Sequence, residues 1–443
     1  KKSFFYLILR FLKSKIKLIS NKFSIIFMDR LVYGPVLIRG FGTLIHFVFS
    51  IYIGRFLGVQ LLGIFYIYYS WLSFISILLC FGLNILILKN NSIYHHQGLH
   101  SLEIRLFTKS IIYILLGGLL FYTFVSLLSN EITTHILIND NLRFLPKLVV
   151  LSGVIYALIK IISESFKAKN KVSIGLAIEF VFPLMFLFII VTINRFFNHK
   201  ILISELIQFH LVIGLVIMVV SILFLFYRNN FFLKFDLSWL KINNIRTLLT
   251  PIKFWLILLL NNLLSIGPYL ILPVYVSETE IGYFSIAHRF VGIVATIMFA
   301  LSSNFGPQFS KYSSENNLGN LIRKFRLSQK YCLFFCIPLL VLYLLFPSHI
   351  IKIYGPDFMP ALPLLLIMAS GRILISFLGL TESFLNMTGH EKWELLSTGI
   401  SVILFLFLIA IKISNDAVIG ITWAFTIALS FKSLFSYIII FNY

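Results

Sequence analysis

The sequence predicts an all-α polytopic membrane protein. Three observations predict it: a composition too apolar for water, a dozen apolar stretches of spanning length, and cations gathered in the gaps between them. Of the 443 residues, 59% are hydrophobic and 12% are charged, where a soluble domain carries roughly 25% charged residues. The mean hydropathy is +0.97. A chain this apolar cannot hide its side chains in a core surrounded by water, so the bilayer is the solvent for most of it.

In chain order, residues 1–30 interleave Lys and Arg with Phe, Ile and Leu. That pattern suits a basic amphipathic segment lying on an anionic leaflet. Twelve stretches follow that are long enough to cross a hydrocarbon core of about 30 Å. They are 31–54, 64–88, 107–128, 145–164, 172–193, 203–227, 248–276, 281–304, 327–347, 360–381, 393–413 and 416–441. Between the seventh and eighth, only Ser277-Glu278-Thr279-Glu280 interrupts two apolar runs. Pro183, Pro338 and Pro363 fall inside spans and predict kinks there.

The cations test this arrangement. With the N-terminus inside, 25 Lys and Arg fall in cytoplasmic segments and 7 in outer ones. The excess of cations in short loops sets orientation, so both termini are expected on the cytoplasmic side. The net charge of +21 is therefore read as topology and not as a nucleic-acid surface. No outer loop exceeds about 20 residues, so no soluble domain is inserted that could hold chemistry. That counts against a membrane glycosyltransferase or polymerase, and no enzyme activity is expected. Cys80, Cys332 and Cys336 lie in apolar segments without zinc spacing and read as small buried hydrophobes. No cleavable signal peptide is recognisable.

The chain also repeats itself. Gly63-Ile64-Phe65-Tyr66-Ile67 opens the second span and Gly282-Tyr283-Phe284-Ser285-Ile286 opens the eighth. The offset is close to half the chain. Two six-helix halves related by an axis along the membrane normal would produce such a parallel repeat. The expected division is a basic segment 1–30, an N-terminal bundle 31–227, a cytoplasmic linker 228–247 and a C-terminal bundle 248–443.

Gly54-Arg55-Phe56-Leu57-Gly58-Val59-Gln60-Leu61-Leu62-Gly63-Ile64-Phe65 resembles the turn after the first helix of bacterial polysaccharide flippases. Glu280-Ile281-Gly282-Tyr283-Phe284-Ser285-Ile286-Ala287, Tyr354-Gly355-Pro356-Asp357-Phe358 and Asn386-Met387-Thr388-Gly389-His390-Glu391-Lys392 fit the same pattern. Over about residues 31–440 the chain resembles the O-antigen and capsule repeat-unit flippases of the multidrug/oligosaccharidyl-lipid/polysaccharide exporter superfamily. The resemblance implies two six-helix bundles in a V-shaped, MATE-like arrangement that opens alternately to each side of the bacterial inner membrane. It implies a cargo as well, a short oligosaccharide on undecaprenyl pyrophosphate turned from the inner to the outer leaflet. Polymerase and chain-length proteins of the same route become possible partners. The long basic start departs from the family, whose members reach the first helix sooner.

A pyrophosphate headgroup crossing hydrocarbon needs a wet, cationic, hydrogen-bonding path. Arg suits phosphate because its planar fork donates two hydrogen bonds at once. A charge in a spanning helix costs roughly 2.5–3.5 kcal/mol on insertion scales, so each one needs a reason. Five cations lie within the spans: Arg39, Lys160, Arg289, Arg372 and Lys432. Arg39, Arg289 and Arg372 are the candidates for gripping the cargo, and similar flippases place arginines on the first and eighth helices. Lys160 stands four residues before Glu164, which predicts an ion pair, and Lys432 reads as snorkelling outward. Asn261 and Asn262, followed by Gly267, Pro268 and Pro273, are candidates for sugar contact on a helix able to bend, with interhelical hydrogen bonding as the commoner use of such residues.

Uphill transport needs a coupling ion, H⁺ or Na⁺, or drive from the membrane potential. Glu179 and Glu382 are the candidate coupling carboxylates. No other cofactor is expected. His95, His96 and His100 crowd one loop and read as solvated, with no metal assigned. A cation-coupled exporter of small amphipathic cations is the rival within the superfamily. The sign of the intramembrane charge separates the two, because arginines would repel such cargo.

Overall fold

The structure, a computed structural model, describes residues 30–127, 145–197, 201–229, 246–412 and 416–442. The basic segment over 1–29 and the linker over 230–245 lie outside the described residues. Among the described residues, eleven helices are long and apolar enough to cross a membrane. One of them does so twice. α1 (Arg30–Cys80) has 51 residues, and its apolar part Leu37–Cys80 has 44. At 1.5 Å per residue that part is about 66 Å long, roughly two bilayer cores. It breaks at Gly58, whose φ of 88° is open to glycine at no steric cost. The expected first and second spans are thus one helix bent at a glycine, and twelve crossings result.

The remaining helices run α2 (Leu83–His96), α3 (His100–Leu127), α4 (Leu145–Ala168), α5 (Val172–Leu176), α6 (Phe182–Phe196), α7 (Ile203–Asn229), α8 (Arg246–Tyr275), α9 (Glu278–Ser314), α10 (Leu318–Leu345), α11 (Pro347–Ile351), α12 (Leu362–Leu378), α13 (Thr381–Met387), α14 (Glu391–Lys412) and α15 (Ala417–Phe441). A π turn, Ala177–Val181, joins α5 to α6. A 3₁₀ turn, Pro356–Ala361, leads into α12. No strand occurs among the described residues, as a bilayer demands when every backbone polar group must be satisfied within its own segment.

The narrow gap between the seventh and eighth spans is a genuine helix boundary. Ser277 caps α9 by accepting from the Glu280 amide, and the Glu280 carboxylate accepts from the Ser277 amide at 2.9 Å. This reciprocal box satisfies two orphan donors and starts a new helix in four residues. Two proline expectations need correction. Pro363 stands in the first turn of α12, where no amide is required and no kink follows. Pro183 likewise begins α6, and the irregularity lies in the π turn just before it.

Helices α1 to α7 pack among themselves around α4, which touches α1, α2, α3 and α7. Helices α8 to α15 pack around α9, α12 and α15. Across the halves α1 lies against α9 and α8. The two glycines of the sequence repeat meet at the α1–α9 crossing. A Cβ on Gly63 would stand 2.9 Å from the Gly282 nitrogen and press on the Glu278 carbonyl; one on Gly282 would stand 2.7 Å from Val59 Cγ1 and press on the Val59 carbonyl. The contact is reciprocal, residues 59 and 63 against 278 and 282, as a pseudo-two-fold axis requires. A small residue at the crossing point of each helix is what lets two membrane helices approach this closely. The same end is tied by Ser50 Oγ to Tyr354 Oη at 2.6 Å, Arg55 Nε to the Ile353 carbonyl at 2.7 Å and Gln60 Nε2 to Glu278 at 3.4 Å.

Candidate functional site

Intramembrane cations fall into two groups in this structure. The buried lysines are neutralised and the arginines are not. In the N-terminal half, Lys167 Nζ lies 3.0 Å from Glu164 and 2.9 Å from Glu179, and Ser163 Oγ donates to the same Glu179 oxygen at 3.0 Å. The π turn carries Glu179, and such bulges re-aim a side chain that a regular helix would hold elsewhere. In the C-terminal half, Lys432 Nζ lies 2.9 Å from Glu394, 3.1 Å from Glu382 and 2.7 Å from Asn261 Oδ1. Each cluster sets one ammonium between two carboxylates.

These clusters revise several expectations. Glu164 is paired with Lys167 and not with Lys160, because the i,i+3 partner lies over it while Lys160 acts only at longer range. Lys432 does not snorkel; it is 7% exposed, since three oxygens on α8, α13 and α14 surround its head group. Lys167, counted with the cytoplasmic loop, is inside the bundle. Glu394 is fully buried and was not anticipated at all. Its place in the Glu391-Lys392-Trp393-Glu394 run makes it look like one more interfacial charge, although it opens the buried face of α14 that continues through Thr398, Ser401 and Phe405. Asn261 is engaged by Lys432, and Asn262 Nδ2 donates to Ser73 Oγ on α1 at 3.3 Å. Glu382 is half exposed, at 55% for its side chain.

The arginines are held differently. Arg289 on α9 donates from Nε at 2.9 Å and from Nη2 at 2.6 Å to one acceptor, Tyr66 Oη on α1. That fixes one edge of the fork and leaves Nη1 without a hydrogen-bond partner among the described residues. Tyr66 in turn stacks on Tyr269 with centroids 5.8 Å apart, and Tyr269 Oη meets His288 Nδ1 at 3.0 Å. Tyr66 is buried in the α1–α9 seam, and composition alone gives no signal for its role. Arg39 on α1 sets its guanidinium over two aromatic faces, Phe299 of α9 at 3.6 Å and Phe180 of the π turn at 4.9 Å. It bridges the halves by cation–π contact, with Glu179 within electrostatic reach. Arg372 on α12 is half-buried, and its charge and that of Arg289 both reach His288. Arg289 and Arg372 therefore share a neighbourhood, and Arg39 stands in another along α1 and α9. Among the described residues none of the three has a carboxylate partner. A desolvated guanidinium without a counter-ion is costly unless an anion or water completes it.

No protein-family model matches the chain, and no curated protein matches its sequence. Solved structures do match its fold. One is the lipid II flippase MurJ in an inward closed conformation, with a TM-score of 0.69, 16% identity and coverage of 91% of this chain and 86% of that one. Another is a multidrug resistance MATE family transporter of the MOP superfamily in its inward-facing conformation, with a TM-score of 0.67, 13% identity and coverage of 90% and 93%. A third is the MATE multidrug transporter DinF-BH in complex with a ligand, with a TM-score of 0.65, 15% identity and coverage of 94% and 96%. The all-helical transporter fold expected from the sequence is the fold of these proteins.

Proposed function

We propose that this protein is a flippase that moves an oligosaccharide linked to undecaprenyl pyrophosphate from the inner to the outer leaflet by alternating access. The observation that carries the reading is the division of the intramembrane charges. Every buried lysine described above has its carboxylates, whereas Arg39, Arg289 and Arg372 are left without one among the described residues. Arg289 and Arg372, without a carboxylate partner, and Arg39, which feels Glu179 only at longer range, favour a polyanionic cargo, and pyrophosphate supplies the charge and the oxygen pairs to which a planar fork donates. The fold shared with a lipid II flippase supports the same choice. On this reading the site is in the bacterial cytoplasmic membrane with both termini inside. The halves 31–227 and 248–443 rock about the α1–α9 seam.

The coupling ion is proposed to act at the two lysine clusters. Glu179 with Glu164, and Glu382 with Glu394, each outnumber their lysine by one carboxylate, so each cluster accepts one further positive charge. One buried oxygen in each, Glu164 Oε2 and Glu394 Oε2, has no hydrogen-bond partner among the described residues. The rival reading, export of amphipathic cations, has the MATE structures in its favour and the arginines against it. Reconstitution with a fluorescent undecaprenyl-pyrophosphate glycan and an outer-side quencher measures leaflet exchange. Acceleration over empty vesicles is expected, and none with the cognate sugar present would reject the proposal. Accumulation of a lipophilic cation driven by a proton gradient would favour the rival.

A further inference from the structure

Where the sequence suggested a solvated loop, the structure has a short, tightly folded corner. α2 ends at His96 and α3 begins at His100. Gly98, with φ of 70°, reverses the chain between them, and the Gln97, Gly98 and Leu99 amides donate back to Ile93, His95 and Tyr94 at 3.0, 3.2 and 2.9 Å. This glycine-centred closure of a helix end brings the last turn of one helix over the first turn of the next. His95, His100 and Glu103 meet there, their ligand atoms all within 4.8 Å of one another.

The distances have the scale of a coordination sphere. A zinc ion bound at about 2.0–2.1 Å to nitrogen and oxygen in a tetrahedron sets its ligand atoms about 3.4 Å apart. His95 Nδ1 is 3.2 Å and His100 Nδ1 3.6 Å from the same oxygen, Glu103 Oε1. Glu103 is completely buried, and its other oxygen lies 3.1 Å from the ammonium of Lys169, itself 6% exposed and just beyond the end of α4. An outer partner of this kind fixes the orientation of a ligating carboxylate and frees Oε1 for the metal. On the far side His100 is 63% and His95 35% exposed, which provides an entry path and an open fourth position for water.

We propose that His95, His100 and Glu103 form a binding site for a divalent transition metal of the zinc type, with two imidazole nitrogens, one carboxylate oxygen and one water. The donor set excludes the hard cations Mg²⁺ and Ca²⁺, which take oxygen ligands, and suits Zn²⁺ or Co²⁺. A bound ion ties α2 to α3 directly and to the end of α4 through Glu103 and Lys169. It therefore braces a corner of the N-terminal bundle. The site is independent of the cargo and of the arginines.

Co²⁺ titration of the untagged chain in detergent tests this, read by the visible absorption of a four-coordinate cobalt site and by displacement with Zn²⁺. One equivalent is expected to bind in the micromolar range, with a rise in the unfolding midpoint. H100A and H95A should each weaken binding by about 10- to 100-fold, the usual loss on disturbing a metal shell, and H96A should leave it intact. His100 is exposed, so H100A tests the ligand without risking the fold. No saturable uptake, or uptake unchanged in H100A, would overturn the proposal and leave Glu103 as an ion-paired residue at the start of α3.

Discussion

Adding one methyl group at the seam between the halves should pull apart the end of the molecule that Gly63 and Gly282 hold together. In the structure a Cβ on Gly63 would come to 2.9 Å from the Gly282 nitrogen and 3.0 Å from the Glu278 carbonyl carbon, where ordinary contact begins at 3.4 Å. The nearest atom is closer still, and all three are backbone atoms that no rotamer change can move. α1 and α9 must therefore separate by about half an ångström or more in G63A. Overpacking of this kind costs about 1–3 kcal/mol. Placed on one state of an alternating transporter, that is a roughly 5- to 150-fold shift toward the state with this seam open. Spin labels at Q60C and E280C, both exposed positions, read the separation by pulsed dipolar spectroscopy, and the native cysteines are buried. G63A and G282A should each lengthen the distance and slow leaflet exchange, because a cycle that cannot close one end stalls. A distance distribution and a transport rate both unchanged in G63A would refute the seam as a moving contact.

Three further outcomes follow from the same geometry. R289E should abolish leaflet exchange with normal membrane insertion, whereas R289K should retain part of it because a point charge remains without the bidentate fork; survival of transport in R289E, measured in vesicles, would remove Arg289 from the cargo path. Y66F removes the acceptor that orients Arg289, and exchange should fall several-fold while the fold, judged by thermal midpoint, changes by no more than about 0.5–1.5 kcal/mol. K432M leaves Glu394 buried without its cation and should destabilise the protein by about 3–5 kcal/mol, an effect that K432M with E394Q should largely relieve; equal midpoints for K432M and wild type would mean that the cluster contributes nothing.

The sequence by itself determined the solvent, the all-helical class and the chemical identity of the arginines, and it suggested a two-part plan. These rest on composition, on runs of apolar residues and on the chain's internal likeness, which need no partner to be read. Gly63 and Gly282 were legible as a repeat, yet only the structure set them face to face, since close approach is a property of two helices and not of either sequence. Charge pairing was the least legible part. Lys160 and Glu164 share a helix face, but the π turn at Glu179 and the packing of α4 on α5 select Lys167 instead. Glu394 and Lys432 stand 38 positions apart and meet only where α14 lies along α15. His95, His96 and His100 were visible as a crowd of residues, whereas Glu103 and the left-handed Gly98 that folds it onto two of them were not. In a bilayer the hydrophobic pattern fixes which segments are helices, because hydrocarbon leaves the backbone no alternative. The few buried charges find partners only through tertiary packing, and in this protein those partners set the paired lysines apart from the arginines.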